Sequence, residues 1–320
     1  MIERGIGEDR ALLLDGDTPV AAKLRWPGDL IAGTVVSARL SAKSAGSRRG
    51  LAILDNGTEV LLDRIPPGFS EGADIRIEIR RDVITERGRM KRAQGRIVEI
   101  GFGKSPRAER PSDPFDTGRL VRRFPTGTWE QVFLFAWTGE VAFAGGALLF
   151  SPTPAMTVID IDGDMDRETL SRRAVLPIAR SLDLLDIKGQ IGIDFPSLET
   201  RTMRQEIDNA LANALDHLKI ERTAMNGFGF VQLVSRLEGP SLLHRFAMHP
   251  RSAAARMALR TAEAVEGAGT TLLTVHPALK THLRPEWIAE LERRTGRAAR
   301  IATDANLALE APAAQIVTHE

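Results

Sequence analysis

The 320-residue chain sets 43 Lys and Arg against 42 Asp and Glu, a net charge of +1 that neither favours nor excludes nucleic acid. Its 43% hydrophobic and 27% charged residues fit a globular fold, and no apolar run approaches the roughly 20 residues of a membrane span, so no membrane partner is expected. The absence of cysteine excludes disulfides and thiolate metal sites, and Glu3, Glu8 and Asp9 do not suit a secretory signal, which together point to the cytoplasm.

In chain order, Arg10–Leu14 and Val20–Leu24 read as a hairpin around the turn Asp15-Gly16-Asp17-Thr18-Pro19. Strand-like runs at Leu30–Leu40, Gly50–Leu54, Thr58–Leu62, Ala73–Arg80 and Arg96–Ile100, broken by Gly, Pro, Asn and Asp, suggest a small barrel. Arg76, Arg80, Arg81, Arg87, Arg89, Lys91, Arg92 and Arg96 crowd one hairpin and its flanks, a candidate phosphate-contacting surface. Glu78 shares a strand face with Arg76 and Arg80, so that surface is mixed in charge. Residues 101–127, with four prolines, four glycines and no periodicity, read as a linker or irregular loop. Its Arg119, Arg122 and Arg123 read as a surface patch. Strands are expected next at Gln131–Ala136 and Glu140–Phe143.

Two β-branched runs, Thr157–Ile161 and Gln190–Ile193, flank a helical segment from Arg167 to Leu185. Leu170, Ala174, Val175, Ile178, Ala179, Leu182 and Leu185 recur at spacings of three and four and define its apolar face. Strand, helix, strand would gather Asp160, Asp162 and Asp194 at one sheet edge, with Asp160 and Asp162 on the same side. Clustered carboxylates repel one another unless a cation offsets them, and a hard divalent ion such as Mg2+ is the usual solution. The alternative is a solvated acidic turn, Asp162, Asp164 and Asp166, ahead of the helix. A second amphipathic helix is expected over residues 199–218, with Met203, Ile207, Leu211, Ala214 and Leu218 on one stripe and His217 near its end in a structural role. An Ala-rich helix from Ala253 to Val265, a strand at Thr271–Val275, a helix at Pro285–Thr295 and a strand near Ala298–Ala302 complete the chain.

Three collinear stretches carry a family resemblance: AMTVIDIDG ending at Gly163, IARSLDLLDIKGQIGIDF over residues 178–195, and FGFVQLVSRLEGPSL from Phe228 to Leu242. They resemble motifs of the ribonuclease E/G family. The resemblance implies a mixed α/β (α+β) fold whose RNase H-like piece, residues 1–27, is interrupted by an S1-like OB domain at 28–100. A linker and RNase H-like remnant at 101–138, a DNase I-like catalytic segment at 139–243 and a small C-terminal α/β domain at 244–320 would follow.

The implied activity is Mg2+-dependent endonucleolytic cleavage of single-stranded RNA, with Mn2+ as a substitute ion. Asp160 and Asp194 would bind the metal. Asp162, where the family has Asn, would position or polarise the attacking water or add a ligand. RNA would lie along Arg80, Arg81, Arg87, Arg89, Lys91 and Arg92, of which Arg81 and Arg87 match basic positions of the family. The C-terminal domain would make homodimer contacts.

The chain also departs from the pattern. The barrel has aliphatics (Ile53, and Val60 or Leu61) where the family has phenylalanines, and the pocket that senses a 5′-monophosphate has no counterpart. His244 and His249 stand where the family's cysteine zinc link belongs, so no zinc is expected. Pro154, the run Ser171–Val175 and Gln232–Leu237 replace polar family residues. These losses keep a second class of function in view, an RNA-binding protein with weak or lost nuclease activity that acts through its OB domain.

Overall fold

A computed structural model of the chain describes residues 1–98 and 113–318. Residues 101–112 of the linker expected at 101–127, and the last two residues of the strand expected to end at Ile100, lie outside the described residues, while the rest of that linker holds a short helix, Pro114–Thr117, and a strand, Leu120–Val121. The fold is mixed α/β. Residues 28–117 and 139–241 form one compact unit, and residues 1–27, 118–138 and 242–320 form another. Among the described residues no helix is long and apolar enough to cross a membrane.

The first half of the 28–117/139–241 unit is a closed, OB-like barrel of five strands, in the order Ala93–Ile97, Glu59–Leu62, Gly50–Ile53, Val35–Lys43 and Asp74–Arg81. Alternation drives it inward: Ile75, Ile77 and Ile79 point into the core with Leu40, Val60 and Leu62, all buried. Each such aliphatic contributes about 1.5–3 kcal/mol. Closure depends on Gly95, where a Cβ would meet the Glu78 carbonyl oxygen and the Val60 side chain, both at 3.1 Å, beside a register shift in the last strand. A two-stranded ribbon, Ile84–Glu86 and Arg89–Lys91, leaves the barrel between its last two strands.

The second half is a six-stranded sheet ordered Glu140–Phe143, Gly146–Pro152, Thr157–Gly163, Gln190–Asp194, Phe230–Val234 and Glu221–Arg222. Its Thr157–Gly163 and Gln190–Asp194 strands run parallel, joined by the crossover helix Arg167–Leu184. That helix starts where Asp166 accepts the Thr169 N–H at 2.9 Å, and every residue of its expected apolar stripe is buried. Helix Arg201–Leu215 packs beside it, capped by Thr200, with Ile207, Leu211 and Leu215 buried. Leu218, placed on its stripe by sequence, lies past the helix end.

The other unit begins with the expected hairpin, Asp9–Asp15 and Thr18–Arg25, in a four-stranded sheet with Ile2–Arg4 and Leu120–Val121. Its helices Pro250–Ala264 and Pro285–Thr295 bury Ala254, Ala255, Ala258, Leu259 and Leu291 against Leu273 and Val275 of a three-stranded sheet, Ala299–Thr303, Thr270–Val275 and Ala313–Val317. The strand expected at Gln131–Ala136 is instead part of a helix, Thr128–Thr138. Its aromatic and β-branched residues favour a strand locally. Trp129, Val132, Phe133 and Ala136 nevertheless fall at helical spacing, all buried, and tertiary packing on that stripe wins. His249, from the expected zinc-link region, lies edge-on to Trp26 with ring centroids 6.1 Å apart. Burial and neighbouring cations, Arg245 first, hold its proton affinity below the ordinary histidine range.

Candidate active site

Strand alternation sets the site. In Thr157–Gly163, Ile159 and Ile161 are buried while Asp160 and Asp162 face solvent. In Gln190–Asp194, Ile191 and Ile193 are buried and Asp194 is exposed. The parallel register sets Asp160 directly beside Asp194, on strands about 4.8 Å apart. A continuous row then crosses the sheet: Glu140, Leu149, Asp160, Asp194 and Phe230. One row along the same face lie Val158, Gly192 and Gln232. Gly192 has no side chain, and the Phe230 ring and the Met156 sulfur occupy the space above it, 2.5 and 2.9 Å from where a Cβ would stand.

Asp160 Oδ1 accepts the Ile161 N–H at 3.0 Å, and Asp162 Oδ1 accepts the Gly163 N–H at 2.9 Å. Each bond fixes one carboxylate oxygen along its strand and leaves Oδ2 for an outside partner. No described arginine, lysine or histidine pairs with Asp160, Asp162 or Asp194. Asp162 pairs with Ala147 on one side, two residues beyond the Asp160–Asp194 step where the neighbouring strand ends. Among the described residues no three His, Cys, Asp or Glu side chains are grouped to hold a metal ion. The strongest juxtaposition is therefore a pair, Asp160 and Asp194, with Asp162 at its flank.

The basic residues are disposed differently. Arg80 lies 3.3 Å from Glu78, whose buried carboxylate also takes two bonds from Arg96, at 2.9 and 2.8 Å. Burial lowers the proton affinity of Arg80, against the opposing pull of Glu78, and burial likewise lowers that of the half-buried Arg81. Arg81 donates to the Arg92 carbonyl oxygen at 3.0 Å. Arg92 itself pairs with Glu59. Arg89 and Lys91 both pair with the buried carboxylate of Glu86. Burial opposes ionisation of Glu86, but hydrogen bonds from Lys91 and Arg89 outweigh it and hold the carboxyl below the usual range. Arg87, at the exposed tip of the ribbon, makes no ion pair with a described residue. Lys91 also reaches the Pro154 carbonyl oxygen at 3.2 Å, and the Asp82 N–H bonds the Glu238 carbonyl oxygen at 2.8 Å, so the ribbon is tied to both flanks of the carboxylate sheet.

The family departures also find places. Gln232 donates to Gln190 at 3.3 Å, Ser235 accepts the Gly189 N–H at 3.1 Å, and Arg173 donates to the Ala144 carbonyl oxygen at 3.2 Å. Neutral or strand-bracing contacts thus stand at the positions where the chain departs from the family pattern. His217 pairs with Asp183 at 2.7 Å on the surface.

Residues 137–236 match the model of the Ribonuclease E/G family. The chain is similar to Ribonuclease E of Nostoc sp. (strain PCC 7120), 30% identical over 114 residues, which cover 32% of this chain and 17% of that protein. It is also similar to Ribonuclease E of Haemophilus influenzae, 29% identical over 110 residues, 31% of this chain and 12% of the relative. The matched segment holds the whole of the carboxylate sheet and its crossover helix, so the similarity to the ribonuclease E/G family lies in residues 137–236, and the chain spans less than a fifth of the length of the relatives it matches.

Proposed function

We propose that the chain is an endoribonuclease acting on single-stranded RNA at the face that carries Asp160 and Asp194. The observation that carries this reading is their in-register, solvent-facing pair with no described cation paired to it. The donor set suits a hard divalent ion, which takes one or two carboxylates together with water and phosphate oxygens: Asp160 and Asp194 are both exposed, and one oxygen of Asp160 is fixed by the backbone. Asp160 and Asp194 would hold Mg2+, or Mn2+ in its place, which when bound supplies positive charge against the scissile phosphate.

The remaining roles fall to the chain's own groups. Asp160 Oδ1 stays on its backbone N–H, so its other oxygen keeps a fixed direction. Asp162 offers Oδ2 to a proton of the attacking water. The water oxygen bonds to phosphorus, the P–O3′ bond breaks, and the water's proton ends on the 3′ oxygen, leaving a 3′-hydroxyl and a 5′-phosphate. Arg87 and the ribbon would meet the RNA backbone through charge, which implies salt-sensitive and weakly sequence-selective binding. The RNase H-like and DNase I-like assignments, a dimer through the C-terminal domain and a cytoplasmic setting belong to this same reading.

A second reading is favoured by one observation: no third carboxylate or histidine joins the pair among the described residues, and Gln232 beside it is neutral. On that reading the chain binds RNA through its barrel and cleaves it poorly. Incubation with a labelled unstructured RNA, with and without Mg2+, separates the two. Mg2+-dependent fragments ending in 5′-phosphate support the enzyme, and binding without fragments supports the alternative.

A further inference from the structure

Phe228 is the most exposed of the large apolar side chains among the described residues, at 83%, and the one aromatic ring in that class. It sits in the turn that leads into the Phe230–Val234 strand, whose first residue neighbours Asp194. A loosely held turn would fold such a ring onto the surface, because exposed aromatic area is costly. This turn has no such freedom. Asn226 Oδ1 accepts the N–H groups of both Phe228 and Phe230, at 2.9 and 3.0 Å, and the Asn226 N–H bonds the Phe230 carbonyl oxygen at 3.1 Å.

Gly229 then locks the turn to the site. Its φ is +91°, and a Cβ there would stand 2.5 Å from the carbonyl oxygen of Phe195, the residue after Asp194. The Gly229 carbonyl oxygen accepts the Phe195 N–H at 3.2 Å. The ring of Phe228 is therefore held out into water by a backbone braced against the strand end that delivers Asp194.

We infer that Phe228 is a stacking platform for one base of the RNA strand beside the Asp160–Asp194 pair. This rests on the endoribonuclease reading for its substrate class. The choice of a base follows from what surrounds the ring. The neighbouring carboxylates repel phosphate, so a strand approaching this end of the sheet needs an uncharged anchor. Every base has a π-face, so an aromatic ring supplies one without demanding a sequence. The five barrel strands contain no Phe, Trp or Tyr. Most cations of the ribbon are already paired with Glu59, Glu78 or Glu86. The stacking surface that single-strand binding usually takes from a barrel is thus found on the catalytic sheet.

The test compares the parent with Phe228→Ala and Phe228→Trp on a short unstructured oligoribonucleotide carrying 2-aminopurine at successive positions. Binding is read in EDTA, where no cleavage occurs. Phe228→Ala should raise Kd about tenfold with an unchanged salt slope, Phe228→Trp should restore it, and quenching at one position should vanish in the Ala variant. With Mg2+, KM should rise about as much as Kd while kcat holds. The thermal midpoint should not move, since the ring buries little. An unchanged Kd in Phe228→Ala overturns the inference, as does a changed sedimenting mass, which would place the ring against a second copy. A parent that binds no RNA overturns it together with the endoribonuclease reading. RNA bound and stacked but never cut leaves this inference standing while that reading falls.

Discussion

The carboxylate face of the sheet and the basic ribbon of the barrel belong to one compact unit, yet they handle charge in opposite ways. On the sheet, Asp160 and Asp194 are set side by side, and among the described residues no cation pairs with either. On the barrel, Glu78 and Glu86 are buried, and each is covered by two cations, Arg80 and Arg96 on one, Arg89 and Lys91 on the other. A buried carboxylate without a partner is costly, so those cations are first of all structural. Like charges left together in water have no such internal answer. The number of charged residues in a segment is therefore a poor guide to what it binds, and the number left unanswered is a better one.

The largest expected effect tests the sheet side of this contrast. Asp160→Ala or Asp194→Ala should lower Mg2+-dependent cleavage of a labelled RNA by about a hundredfold or more, while binding in EDTA changes little. Full cleavage by both variants would end the assignment. A pair of unfolding experiments sharpens it next. Glu78→Ala, which strips the buried partner of Arg80 and Arg96, should cost about 2 kcal/mol in urea unfolding, whereas Asp160→Ala should stay within about 0.5 kcal/mol. Equal losses would mean that both carboxylates are structural.

Smaller effects lie on the ribbon. Arg87→Ala should weaken RNA binding a few-fold and reduce the salt slope by about one, and Arg92→Ala, already paired with Glu59, should do less. Glu86→Gln should tighten binding about twofold by releasing Arg89 and Lys91 toward phosphate. The same pair gives a pH signature. Because the folded carboxyl of Glu86 titrates below its unfolded value, its contribution is complete above the ordinary glutamate range and disappears as pH falls through the lower folded value. Urea midpoints measured down through that window should converge for the parent and Glu86→Gln; parallel curves would contradict the pairing. The smallest effect expected is none: RNAs ending in 5′-monophosphate and 5′-triphosphate should be cut at indistinguishable rates.

Periodicity made the carboxylate sheet legible. The stripe from Leu170 to Leu185 and the alternation in Thr157–Ile161 use local rules of spacing, and the structure buries those residues as the spacing requires. The helix Thr128–Thr138 was misread because Val132, Phe133 and Phe135 favour strands in isolation, and a partner surface overrides that preference. Long-range pairing was out of reach altogether. Nothing near Arg92 in sequence announces Glu59, and nothing near Arg96 announces that Glu78 will be buried beneath it. The exposure of Phe228 was equally out of reach, since phenylalanine is more often buried than exposed and nothing beside it in sequence says otherwise. Its exposure follows from Asn226 and Gly229, whose joint effect appears only once the turn is built.

The unit built from residues 1–27, 118–138 and 242–320 has a consequence in time. Ile2–Arg4 pairs with Leu120–Val121 on one edge, and the Glu3 carboxylate takes Arg260 as well as Arg10. During synthesis at about 5–20 residues per second, the opening hairpin must wait on the order of ten seconds or longer for its last partners to be made. Over that interval the edge of Ile2–Arg4 and a charge meant for the interior stand in water, open to pairing with another chain. Residues made well before their partners are among the last to be buried, and the yield of folded protein should depend on how quickly residues 242–320 follow.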